Sequence, residues 1–218
     1  HDARGASIDQ PHYDLAQMLD ELQIFADWFV PAVASGSDPA RFAPEWRALW
    51  QEALAPVGAR HDTLIMRDFH VDNLMLLSGR EGVARCGLLD FQDGLLGPCE
   101  YDLMSLLQDA RRDLTPGLEE ALLGRYLDNA PAHLGTPVDI RRRYHLLAAQ
   151  RHARILGVFV RLCQRDGKPR YLEWLPRVLR QFQTALVDAG LHDISAFLDA
   201  RLPNWRAEAA TLESRLNR

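Results

Sequence analysis

Six polar side chains crowd one short window of the chain. Asp68, His70, Asp72 and Asn73 fall in "RDFHVDNLMLL" (67–77), and Asp90 and Asp93 follow in "GLLDFQDGLLGPCEYDL" (87–103). Burying even one ionised carboxylate is expensive unless it is paired. Several beside apolar runs point to a metal, a phosphate-bearing ligand or a solvated loop. An amide oxygen and a carboxylate are hard ligands that suit Mg²⁺ far better than zinc. The Asp68-x₄-Asn73 spacing matches a kinase catalytic loop, where the Asp orients or deprotonates the substrate hydroxyl and the Asn holds a metal.

The elements that must position these residues are short. Thr63–Met66, Leu74–Leu77 and Val83–Leu89 are apolar runs too brief for helices, and "SGREG" (78–82) is a hairpin loop between the second and third. A hairpin there places Asn73, just before one strand, beside Asp90, just after the other, across 17 positions of sequence. Asp68 lies on the loop feeding the first strand. Elsewhere the period is helical. A stripe of Leu15, Met18, Leu19, Leu22, Phe25 and Phe29 is expected to end at Pro31, and Pro44 to open a helix carrying Trp46, Leu49, Trp50 and Leu54. Further helical patterns run near 101–113, 118–127, 139–162, 171–187 and 194–202, with a polar stretch at 208–218. The expected fold is mostly α with a small β-hairpin insert.

Composition narrows the class. The 218 residues are 47% hydrophobic and 25% charged, enough for a sizeable core in an ordinary globular chain. A net charge of -5 disfavours a nucleic-acid partner. No apolar run reaches the roughly 18 residues that span a bilayer, and no signal peptide is visible, so a cytoplasmic protein with no membrane partner is expected. Cys86, Cys99 and Cys163 fit no zinc spacing and read as buried thiols in a reducing compartment. His61–Asp62 lacks the further histidines that a metal hydrolase site would need.

"MRDFHVDNLMLL…GLLDFQD…GPCEYDLMSLLQDARRD" resembles the aminoglycoside phosphotransferase and choline kinase-like family of small-molecule kinases. The flanking "FADWFVP" (25–31) and "AAQRHARILGVFVRLCQRDGKPRYL" (148–172) are similar to the subgroup acting on N-acetylmuramate and N-acetylglucosamine in bacterial cell-wall recycling. The resemblance covers about Tyr13 to Phe182. It implies Asp68 as catalytic base, Asn73 and Asp90 as Mg²⁺ ligands, and ATP as phosphoryl donor to the anomeric hydroxyl of an N-acetyl amino sugar. It implies that Asp102, the aspartate of "YDL", and Arg67 support the catalytic loop, and that His70 belongs to it. Two departures stand out: Met66 occupies a position where the family carries histidine, and Gln92 replaces the glycine of Asp-Phe-Gly.

Substrate contacts are expected from His70, Asp93, Arg111, Arg151 and Arg154. Arg151 and Arg154 share a helix face that faces either the cleft or a salt-bridged surface. A sugar bearing a carboxylate would want such a guanidinium. Trp28, Trp46, Trp50 and Trp174 read mainly as core. Asp72 reads as solvated.

A kinase of this type also needs a Gly-rich hairpin and a strand lysine over the phosphates. Neither precedes Asp14, and the single lysine, Lys168, lies far downstream. The expectation is therefore the C-terminal, substrate-binding lobe of a protein-kinase-like fold, with the N-terminal nucleotide lobe absent and the fragment by itself inactive. Residues 1–12 read as a flexible lead-in or the cut end of something longer, 13–205 as the lobe and 206–218 as a polar tail. The rival readings are a kinase for another acceptor (an aminoglycoside, choline or homoserine) and a non-catalytic sugar-binding domain.

Overall fold

The computed structural model describes residues 10–216. Asp14 starts helix α1 (Leu15–Ile24) by accepting the Gln17 N–H. The helix runs through a π-helical turn at Phe25–Phe29 into α2 (Val30–Val33). Pro31 therefore does not end the stripe as expected. It is the second residue of α2, directly after the π turn in one continuous helical run. Helix α3 (Pro39–Gly58) also begins before Pro44, because Asp38 caps it and Pro39 is its first residue. Pro44 lies inside it, five residues beyond that first position.

Two nested antiparallel pairs follow. Strands β1 (Thr63–Ile65) and β4 (Leu95–Gly97) pair with Ile65 opposite Leu95. Inside them β2 (Leu74–Leu76) and β3 (Cys86–Leu88) form the expected hairpin, with Leu74 opposite Leu88. A 3₁₀ turn at Gly82–Arg85 shortens the hairpin's second strand. The connections 66–73 and 89–94 lie side by side between the pairs, joined by a Leu89 N–H to Asn73 carbonyl bond of 2.9 Å. Of the segment expected as a lead-in, residues 1–9 lie outside the described residues. Pro11 and Tyr13 instead bond to Leu96 on β4, at 2.9 and 2.8 Å.

Helices α4 (Glu100–Leu107), α5 (Leu118–Asn129) and α6 (Pro137–Gln164) come next. A reciprocal cap between Thr136 and Asp139 opens α6, whose stretch from Leu146 to Leu156 is buried nearly all round. It is the central helix, packed on α1, α4, the π turn and α7 (Leu175–Asp188). Gly157 permits the closest approach: a Cβ there would meet the Ile24 carbonyl oxygen at 2.4 Å. Helices α8 (His192–Arg201), α9 (Trp205–Ala210) and α10 (Leu212–Leu216) close the fold. Trp205, Ala209 and Leu212 are buried, so the stretch expected as a polar tail puts an apolar side into the core. Trp46 and Trp50 are core residues packed among Phe25, Phe42 and Phe197. All three cysteines are free, but Cys86 is exposed rather than buried.

Candidate active site

The nested strands deliver Asp68, Asn73 and Asp90 to one place. Asn73 Nδ2 donates to the Asp68 carbonyl at 2.9 Å and lies 3.5 Å from Asp90 Oδ2. With the nitrogen committed to that carbonyl, the amide oxygen is left for a ligand. Asp90 is exposed and accepts at Oδ1 from Gln92 Nε2 at 2.7 Å. Gln92, which stands where protein kinases carry the glycine of Asp-Phe-Gly, thus holds the carboxylate. Asp68 keeps its carboxylate 55% exposed and 3.8 Å from the Arg151 guanidinium.

The backbone here is bent into unusual conformations. Arg67 has φ 63 and Asp90 φ 57, left-handed values that bulky residues avoid. Such conformations cost about 1–3 kcal/mol each and persist where surroundings over-determine them. Around Arg67 the surroundings are visible. Asp102 accepts the Met66 and Arg67 N–H groups at 2.7 and 3.1 Å. The Arg67 carbonyl accepts from Arg151 at 3.1 Å and Ser105 at 3.4 Å. The Arg67 guanidinium reaches Glu21 at 2.5 Å. Burial pushes the Asp102 carboxyl up, opposed by the two N–H bonds it receives.

The other expected contacts divide. His70 lies 3.5 Å from the Asn73 amide nitrogen, and its buried Nδ1 has no partner. Burial and then the nearby Arg111 hold its pKa down. Arg111 stacks over Trp174 at 5.6 Å, with Asp109 4.0 Å from its guanidinium, and remains partly exposed. Arg151 faces Asp68 and also donates to the Tyr101 hydroxyl at 3.2 Å. Arg154 stands 3.6 Å from Glu21, a carboxylate 133 positions away in sequence. Asp93 is exposed in the turn that Gly94 closes onto Phe91. Asp72 is not merely solvated: it pairs with Arg112 at 2.6 Å.

Sequence reasoning missed Glu21, Tyr13, Gln150 and Asp109. Glu21 accepts from Tyr13 at 2.7 Å and Gln150 at 3.2 Å. A signal was present, since Glu21 breaks the apolar stripe of α1 and Gln150 stands in the buried run of α6. Asp109 is 4% exposed; its Oδ1 accepts the Arg111 N–H and its Oδ2 has no partner. A second cluster, Asp62, Cys99 and Glu100, has ligand atoms within 4.8 Å of one another. Arg60 already grips Asp62 through two bonds and Arg143 pairs with Glu100 at 2.7 Å. Burial pushes the Cys99 thiol up to about 12. The two carboxylates are thus paired with arginines, and the cluster ties the start of β1 to the segment after β4.

The model of the phosphotransferase enzyme family matches residues 1–147. An N-acetylmuramate/N-acetylglucosamine kinase of Caulobacter vibrioides is 38% identical over 191 residues, covering 88% of this chain and 52% of that protein. One of Neisseria meningitidis is 39% identical, covering 79% and 53% respectively. One of Pseudomonas aeruginosa is 34% identical, covering 81% and 52%. The chain spans about half the length of the curated relatives it matches.

Proposed function

Since the chain belongs to the phosphotransferase enzyme family, we propose that it is the catalytic, acceptor-binding lobe of an ATP-dependent kinase for N-acetyl amino sugars. The acceptor atom is the anomeric hydroxyl, and the role is the recovery of cell-wall sugars in the cytoplasm. The observation that carries this reading is the convergence of Asp68, Asn73 and Asp90 across the nested strands.

In this reading Asp68, solvent-facing but beside Arg151, orients the sugar hydroxyl and takes its proton. Phosphoryl transfer asks mainly for positioning and charge stabilisation, so the rigidity of the loop matters as much as the base. Asp102 and Arg151 grip the backbone on either side of Arg67, fixing where Asp68 stands. The free Asn73 amide oxygen and the Asp90 carboxylate fit a Mg²⁺ ion and would hold it. When bound, that ion supplies neutralisation of charge on the phosphates. Arg111, with no carboxylate within hydrogen-bonding distance, is the guanidinium available to an acidic sugar.

A nucleotide-binding lobe covering the hairpin belongs to the same proposal. The hairpin exposes Leu76 at 77% and Val83 at 94%, and Phe91 after it is 61% exposed, large apolar side chains of the sort that a partner covers. The half-length match to the relatives supports it as well. The test is ATP consumption by the protein with that lobe against a panel of amino sugars, with ³¹P spectra of the product. An anomeric sugar phosphate is expected; phosphorylation of an aminoglycoside or choline instead, or sugar binding without ATP use, would replace this reading.

A further inference from the structure

Glu21 lies on α1, far in sequence from the catalytic loop, yet its carboxylate meets the side chain that immediately precedes Asp68. It is 8% exposed. Its Oε1 takes Arg67 at 2.5 Å and stands 3.6 Å from Arg154, while its Oε2 takes Tyr13 and Gln150. Burial alone would raise its pKa, but Arg154 first, and then the Tyr13 hydroxyl and Arg67, hold it below the ordinary carboxylate range. The Nε of each of the two arginines has no hydrogen-bond partner.

Three elements grip Arg67, and each holds a different part of it. Asp102 on α4 takes its N–H, and Arg151 on α6 reaches its carbonyl. Glu21 on α1 takes its guanidinium, which also lies over the Tyr13 ring at 5.8 Å. A left-handed backbone at a residue with a long side chain relaxes unless each constraint is kept. We propose that Glu21 is a positioning residue for the phosphotransfer reaction: through Arg67 it locks the strained turn that aims the Asp68 carboxylate at the acceptor hydroxyl. This rests on the proposed kinase function for its consequence in turnover, but the locking is a property of the chain itself.

The test uses Glu21→Gln, which keeps shape and one acceptor and removes the charge, together with Arg67→Met and the double variant, in the protein bearing the nucleotide lobe. Each is checked for folding by its thermal midpoint. Glu21→Gln is expected to lower kcat by about tenfold or more while the KM for sugar and for ATP stays near wild type. In the double variant the loss should be no greater than the larger single loss, because the two residues act as one unit. Multiplying losses, or a lowered midpoint with kcat intact, would overturn the proposal and leave Glu21 a core brace. Hydrogen exchange of the peptide spanning residues 66–70 gives a reading that needs no turnover. It should quicken in Glu21→Gln; unchanged exchange would overturn the locking even if the wild-type protein proved to be no kinase.

Discussion

Asn73 Nδ2 stands 3.5 Å from Asp90 Oδ2, although 17 residues separate them in the chain. The hairpin β2–β3 closes that distance, and the outer pair β1–β4 holds both ends of the loop that results. The same amide nitrogen binds the Asp68 carbonyl, so one side chain ties the Asp68 loop to Asp90.

A dependence on Mg²⁺ follows from this relationship. On the proposed reading, Asp90→Asn should raise the Mg²⁺ concentration for half-maximal rate by more than Gln92→Ala does, because Asp90 would be a direct ligand whereas Gln92 only holds its Oδ1. Loss of an outer partner typically costs 10–100-fold in metal affinity, so about tenfold is expected for Gln92→Ala and more for Asp90→Asn. Rate titrations with Mg²⁺ measure both. An unchanged requirement in Asp90→Asn would remove it from the metal site.

The packing of α6 on the π turn gives a stability prediction. Gly157→Ala would place a methyl 2.4 Å from the Ile24 oxygen and 2.8 Å from the Phe25 nitrogen, both backbone atoms that cannot swing aside. Overpacking of this kind costs about 1–3 kcal/mol. Gly124→Ala, in α5 with nothing within 4 Å of the new methyl, should instead stabilise by about 0.5–1 kcal/mol through helix propensity. Denaturant midpoints of the two variants should move in opposite directions.

Acid should unfold the protein through His152. Burial, and then the neighbouring Arg151, lowers its pKa from the ordinary 6.5 to about 3. Its Nε2 lies 2.7 Å from the Gln108 amide oxygen, and its Nδ1 has no partner. The unfolded chain takes up this proton near 6.5 and the folded one does not, so the stability present above that pH is lost as pH falls toward 3. The slope from this residue alone is about 1.4 kcal/mol per pH unit. His152→Gln should flatten that part of a stability-versus-pH curve; an identical curve would show that other groups carry it.

Much of this was legible in the sequence, and the remainder had physical reasons to be hidden. The hairpin could be read because Leu74–Leu77 is too short for a helix and "SGREG" must turn. The partner of Thr63–Ile65 could not, because Leu95–Gly97 lies about thirty positions on and is flanked by Gly94, Gly97 and Pro98, which read as loop. Pro31 was misread as a stop, since local rules do not register that a wide turn upstream can absorb it. The face of Arg154 was left open between the cleft and a salt-bridged surface, because helical spacing gives the face but not the acid waiting on another helix. Asp68, Asn73 and Asp90 were found together because the strand geometry that joins them is local; Glu21 was not, because its tie to Arg67 exists only in the tertiary fold.

The most direct measurement compares Asp68→Asn with wild type in turnover and in sugar affinity, side by side, using the protein with its nucleotide lobe. If Asp68 is the base beside the Asn73 and Asp90 metal site, kcat falls by about 10²–10⁴ while the sugar dissociation constant is retained. Near-normal turnover in Asp68→Asn, with the sugar still bound, would contradict the account.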